Sequence, residues 1–184
     1  VFPAWSGSEY AKSDRKLRNA CRLTVAPTGT ISMLADTSSG VEPTFALAWK
    51  KMNILEGETL YYVNKYFERD ALAFGFYSED LMDYISDGGS IQNRDDVPQW
   101  AKEVYTVAGD ITPEAHVLMQ AAFQKYCDSG ISKTINFSND ASIEDVYTAY
   151  LLAWEEGCKG ITVYRSGSRE KEVLVKASQA TTED

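Results

Sequence analysis

The chain has 184 residues, 44% of them hydrophobic and 12% aromatic, which is enough for a packed core and too apolar for a disordered polymer. Its 27 acidic and 18 basic residues give a formal charge of -9, which argues against a nucleic-acid polymer as partner, since neutralising a phosphate backbone takes clustered Lys and Arg. No apolar run approaches the roughly 20 residues of a membrane span, and Val1-Phe2-Pro3-Ala4-Trp5 carries no signal pattern, so no membrane partner and a cytoplasmic location are expected.

In chain order, residues 1 to 22 mix aromatic and charged residues, and no element is expected to begin cleanly there. Leu23-Thr24-Val25-Ala26 reads as a short strand and Ile31 to Leu34 as the opening of a helix. Between them Pro27-Thr28-Gly29-Thr30 ends the strand, because proline cannot donate to a ladder and glycine lets the backbone approach a ligand. Such a turn suits either of two roles. It is an ordinary capped helix start, or its unpaired N–H groups converge on a phosphate. A Ser-Ser-Gly loop follows at 38 to 40, and Phe45, Leu47 and Trp49 alternate as in a strand.

Glu56 to Phe67 reads as a helix on the spacing of Leu60, Val63 and Phe67, and Ser78 caps another that runs to Ile85 before Gly88-Gly89. Residues 90 to 110 read as surface connection, with Pro98 as a breaker. Thr112 and Pro113 start a helix with Ala115, Leu118, Met119, Ala122, Phe123 and Tyr126 on its expected inner face. A strand is expected over Ile131 to Phe137. Next comes a helix from Ser142 with Val146, Ala149, Tyr150 and Ala153 inward, then Gly157, then a strand over 160 to 165. This alternation points to parallel α/β topology, in which ligands sit at strand ends. The polar residues 171–184 are expected to form a disordered tail behind a single segment, 1–170.

Cys21, Cys127 and Cys158 are widely spaced and odd in number, which suggests free thiols and neither a disulfide framework nor a metal site. His116 is the sole histidine, and on a helix it is expected to be a packing residue.

Three stretches, "RNACRLTVAPTGTISMLADTSSGVEPTFAL", "AHVLMQAAFQKYCDSGISKTINFSNDAS" and "AYLLAWEEGCKGITVYRSGSR", resemble in unchanged order the C-terminal part of the catalytic chain of ribonucleotide reductases, most closely the adenosylcobalamin-dependent class. The resemblance implies an α/β fold, the C-terminal part of a ten-stranded α/β barrel. It implies that Pro27, Thr28, Gly29, Thr30, Ile31 and Ser32 cradle the phosphates of a ribonucleotide substrate, a diphosphate by expectation. Ser132, Lys133, Thr134 and Asn136 would lie near substrate or cofactor, with packing the stronger reading for most of them. The implied cofactor is adenosylcobalamin, held mainly by the rest of the enzyme.

The family's radical cysteine, its reducing cysteine pair and the groups around the ribose lie before this segment, so no catalytic residue and no metal ligand is assigned here. A partner is therefore implied, the missing N-terminal reductase portion. Reductases that import a radical from a second subunit carry adjacent tyrosines in the last strand, where this chain has Thr162 and Val163 before Tyr164. That difference favours a cofactor that makes its radical in place. The rivals are a reductase fed by a metal-carrying subunit, and a non-catalytic α/β module that binds a phosphorylated ligand.

Overall fold

The structure is a computed structural model that describes residues 1–54 and 58–168. The chain divides into two compact units, and each is described by itself. The first comprises Val1–Val41, Pro113–Ile135 and Ala141–Val163, and the second Glu42–Thr112, Asn136–Asp140 and the chain from Tyr164 onward. The expected tail at 171–184 lies outside the described residues.

In the first unit the N-terminal segment is more ordered than its sequence suggests. A 3-10 turn at Trp5–Gly7 leads into α1, Glu9–Lys12. The Trp5 indole N–H donates to the Arg15 carbonyl at 2.8 Å, and Phe2 is buried edge-on against Tyr10. Asp128 fastens this segment from a distance. It accepts from the Tyr10 hydroxyl, from the Arg22 backbone N–H and from the Arg22 guanidinium, whose hydrogen bond holds the Asp128 carboxyl below the usual carboxylate range.

The strand expected over Leu23–Ala26 narrows to one parallel bridge, Val25 with Ile131. Hydrogen bonds on either side extend its grip: Ser129 N–H to Leu23 O at 3.0 Å, the Thr24 hydroxyl to Gly130 O at 2.9 Å, and Ser132 N–H to Val25 O at 2.9 Å. Pro27 then stops any further ladder. The helix that follows, α2, runs Gly29–Ala35 and so begins inside the turn.

The long helix Pro113–Gln124 forms as expected, but its inner face is the other one. His116, Val117, Gln120, Ala121 and Gln124 are buried, while Leu118, Met119, Phe123 and Tyr126 are exposed. Burying two glutamines requires partners for their amides. Gln120 Nε2 donates to Gly160 O at 2.6 Å, and Gln124 Nε2 donates to Cys127 O and Ser129 O at 3.1 and 2.9 Å. Gln124 Oε1 accepts the Lys159 N–H at 3.2 Å.

A strand at Thr134–Phe137, shorter than expected, alternates half-buried and buried residues and pairs with the strand Thr162–Arg165. Between them runs the helix Ile143–Glu155, whose Ser142 hydroxyl accepts from the Asp145 N–H while the Asp145 carboxylate accepts the Ser142 N–H at 2.7 Å. These bonds from Ser142 hold the Asp145 carboxyl below its ordinary range. Ala149 and Ala153 face inward as expected, whereas Tyr150 is exposed along with Ile143, Tyr147, Leu151 and Trp154.

The second unit begins with a hairpin. Strand β1, Ala48–Ile54, pairs antiparallel with β2, Glu58–Val63, in a register that sets Ala48 opposite Val63 and Lys51 opposite Leu60. The helix expected over Glu56–Phe67 is therefore a strand and then a new helix, α3, Lys65–Phe74. Asn64 divides them: its side chain accepts from the N–H groups of Tyr66 and Phe67, and the run Leu60-Tyr61-Tyr62-Val63 before it favours a pleated strand. Helix α4, Glu79–Ser86, is capped by Ser78 as expected.

Residues 90 to 110 are not mere connection. They hold 3-10 turns at Ile91–Asn93 and Ala108–Asp110 and helix α5, Gln99–Val104, and they contribute buried Ile91, Val97, Ala101 and Ala108. Phe67 is the centre of this core, edge-on to Phe76 at 6.0 Å and to Tyr105 at 5.2 Å. The Tyr105 hydroxyl donates to Asp70 at 2.5 Å; its burial and that carboxylate push it up to about 12. Phe67→Ala is expected to cost about 3–5 kcal/mol, read as a lower urea midpoint with an unchanged slope, since the helices cannot collapse fully onto the vacated ring site. The remaining helices are numbered in chain order: α6 is Pro113–Gln124 and α7 is Ile143–Glu155; the remaining strands are β3, Thr134–Phe137, and β4, Thr162–Arg165.

Candidate functional site

The turn between Val25 and α2 is built from the residues upward. Thr28 has φ +52, a left-handed conformation that a β-branched residue adopts at a cost of about 1–2 kcal/mol. This corner turns the chain abruptly from the Val25 bridge into the helix. The first backbone bond of α2 is Ser32 N–H to Thr28 O at 2.9 Å. The N–H groups of Gly29, Thr30 and Ile31 precede it, and no partner for them is seen among the described residues. Three adjacent donors at a helix start are what an anion requires.

The hydroxyls divide into two kinds. Ser32 is buried, and its Oγ donates to Gly29 O at 3.0 Å, so it closes the first turn from below. Ser39 Oγ lies 2.5 Å from Pro27 O and 3.3 Å from Thr28 Oγ1. The Ser39 proton goes to the carbonyl, which has none, so the Thr28 hydroxyl must donate to Ser39. Thr28 and Ser32 thus have their protons engaged within the protein. Thr30, exposed at the helix start, is the turn hydroxyl with no partner among the described residues.

The residues Ser132, Lys133, Thr134 and Asn136 are not a cluster around that turn. Ser132 is joined to it through its N–H on Val25 O. Lys133 is 2% exposed, and its Nζ donates to His116 Nδ1 at 2.7 Å and to Thr134 O at 2.6 Å. His116, 1% exposed, therefore carries its own ring proton on Nε2. This pair occupies the interface of α6 with the segment before β3 and has the character of packing. Thr134 and Asn136 are half-buried on β3. His116→Leu removes an acceptor from a buried ammonium and is expected to cost about 2–3 kcal/mol in thermal or urea unfolding.

Cys21 is exposed, Cys127 and Cys158 are half-buried, and all three are free thiols. Burial, and Glu156 next to it, push the Cys158 thiol up, away from the thiolate form that a nucleophile needs. Among the described residues no group of three or more His, Cys, Asp or Glu side chains could hold a metal ion, and no helix is long and apolar enough to cross a membrane.

Sequence reasoning missed Ser39. "DTSSG" shows a loop in composition, but nothing in it signals that the second serine returns to a carbonyl twelve residues earlier. The one local signal is Gly40, whose φ of +53 and tight fit against Ala26 O and Val25 Cγ1 mark a close backbone return.

Residues 4–164 match the family model described as "Ribonucleotide reductase, barrel domain". The chain belongs to this family, and its α/β elements are part of that barrel. It is 47% identical over 181 residues to the vitamin B12-dependent ribonucleoside-diphosphate reductase of Thermoplasma acidophilum, covering 98% of this chain and 23% of the relative. The protein of the same name from Mycobacterium tuberculosis (strain CDC 1551 / Oshkosh) is 40% identical over 178 residues, covering 97% of this chain and 25% of the relative. Among solved structures, the class Id ribonucleotide reductase alpha subunit of Actinobacillus ureae superimposes with a TM-score of 0.68 at 26% identity, covering 86% of this chain and 29% of that one. The chain thus spans about a quarter of the length of the two curated relatives.

Proposed function

We propose that this chain is part of a ribonucleoside-diphosphate reductase that makes deoxyribonucleotides by thiyl-radical chemistry with adenosylcobalamin, and that it supplies the turn that holds the substrate's phosphates. The observation that carries this reading is the 47% identity over nearly the whole chain to a protein named vitamin B12-dependent. The solved class Id alpha subunit, at 26%, favours the barrel without favouring its radical source.

In this reading the reacting groups lie in the rest of the polypeptide. The role of the segment is binding: Gly29, Thr30 and Ile31 present backbone donors and Thr30 adds a hydroxyl, while Pro27 and Thr28 set the corner and Ser32 braces it. An acidic chain gains from holding a diphosphate this way, since backbone donors and a helix end attract an anion without a cluster of Lys and Arg.

Adenosylcobalamin would supply the initiating radical when bound. The described residues do not fit it as ligands: the sole histidine is buried with its Nδ1 on Lys133, so the corrinoid is assigned to other parts of the polypeptide and no step is routed through it here.

The test is direct. The complete polypeptide with adenosylcobalamin and a dithiol is expected to convert a ribonucleoside diphosphate to its deoxy form, and residues 1–184 alone are expected to give no turnover. Turnover by the segment alone would refute the placement of the radical cysteine outside it. A complete chain that binds the nucleotide but never reduces it would establish the non-catalytic module instead.

A further inference from the structure

Loop 37–40 closes a ring around the turn. Helix α2 ends at a second left-handed residue, Asp36 with φ +52, and Thr37 N–H bonds back to Ser32 O at 3.1 Å. The chain reverses there. Gly40, left-handed in its turn, passes so close to the incoming strand that a Cβ would lie 3.1 Å from Ala26 O and 3.3 Å from Val25 Cγ1. This return brings Ser39 to Pro27 O and to the Thr28 hydroxyl. The one strained non-glycine backbone of the turn, Thr28, is thus gripped at the carbonyl before it and at its own side chain by one serine.

We propose that Ser39 is a positioning residue that holds Thr28 in its left-handed conformation and so keeps the Gly29, Thr30 and Ile31 N–H groups convergent on the substrate's phosphates. The proposal rests on the reading of Pro27–Ser32 as a phosphate turn, and Ser39 itself does not touch the ligand. A threonine at 28 prefers to leave the left-handed region. If Pro27 O and the Thr28 hydroxyl lose their common partner, the corner can relax, and the three donors then point apart. Glycine at 28 would need no such hold, because it occupies that region freely.

The experiment is equilibrium titration of the complete reductase polypeptide with CDP and, separately, with cytidine. Ser39→Ala is expected to weaken CDP binding by about tenfold, the scale of one hydrogen bond at a strained backbone position, and to leave cytidine binding unchanged. Adding Thr28→Gly to Ser39→Ala is expected to recover most of that loss. A serine that merely stabilised the fold would weaken both ligands alike, and the added glycine would not help. Should Ser39→Ala fail to fold, Ser39→Thr keeps the hydroxyl and is expected to retain CDP affinity; loss of CDP selectivity there with an unchanged melting temperature would overturn the proposal. Gly29→Val in the same assay separates the two levels. If it weakens CDP selectively while Ser39→Ala does not, the proposal is wrong and the phosphate turn stands. If neither variant changes the preference for CDP over cytidine, the phosphate turn itself is wrong.

Discussion

Gly29→Val is expected to lower the affinity of the complete reductase polypeptide for a ribonucleoside diphosphate by about a hundredfold, the loss of two hydrogen bonds to a charged acceptor. The fold itself gives little reason for harm. A Cβ on Gly29 would meet nothing within 4 Å, and the residue is not in the left-handed region that glycine alone enters easily. Its helical position even favours a side chain, since glycine is the costlier residue there. The branched side chain would therefore hurt only if something outside the chain has to come close to this backbone. Thr30→Ala, by contrast, removes one hydroxyl donor and should cost about 1.5 kcal/mol, or roughly tenfold. Titration with CDP, with melting temperature as control, ranks the two. Equal and negligible effects would mean that the turn is a capped helix start and nothing more.

Much of the local structure was legible because it is written in neighbouring residues. Ser142 with Asp145 three positions on is a capping pair that can be read without any tertiary contact, and the helix begins there as expected. Ser78 before α4 is the same kind of signal. The Pro27-Thr28-Gly29-Thr30 turn could be placed between strand and helix from proline and glycine alone.

What was not legible depends on partners far along the chain. Periodicity assigns α6 two stripes but does not say which one packs. The apolar stripe was the natural choice, yet Gln120 and Gln124 are buried, because Gly160 O, Cys127 O, Ser129 O and the Lys159 N–H are there to satisfy their amides. Leu60, Val63 and Phe67 have helical spacing, but Leu60 and Val63 pair with Lys51 and Ala48 across a hairpin, and only Phe67 is helical. The hairpin partner outweighs a three-residue pattern. Ser39 belongs to the same class. Its function in the turn depends on a chain reversal set by Asp36 and Gly40, and no local pattern announces it.

The inverted face of α6 leads to the second large effect: residues 1–184, expressed alone, are expected to self-associate and to bind a hydrophobic dye strongly. Leu118, Met119, Phe123 and Tyr126 form one exposed apolar stripe on α6, and Ile143, Tyr147, Tyr150, Leu151 and Trp154 form another on α7, with Ile143 90% and Trp154 75% exposed. Both helices belong to the first unit and pack on one another, so the two stripes are borne by one body. Solitary exposed apolar residues are ordinary, but contiguous patches beyond a few hundred Å² are rare on soluble monomers. Strand edges add to the problem, since a barrel removes its edges only when closed, and β3 and β4 are paired in a sheet of two among the described residues. The partner expected to cover these surfaces is the remaining portion of the reductase polypeptide, about three quarters of the relatives' length by the shares that this chain covers. Sedimentation and dye fluorescence, with and without that portion supplied in trans, provide the measurement. Association and dye binding that both fall when the N-terminal portion is added support the reading. A monodisperse monomer that binds no dye and unfolds in one sharp transition would instead show a self-sufficient domain, for which exposed stripes of this size carry no penalty in water.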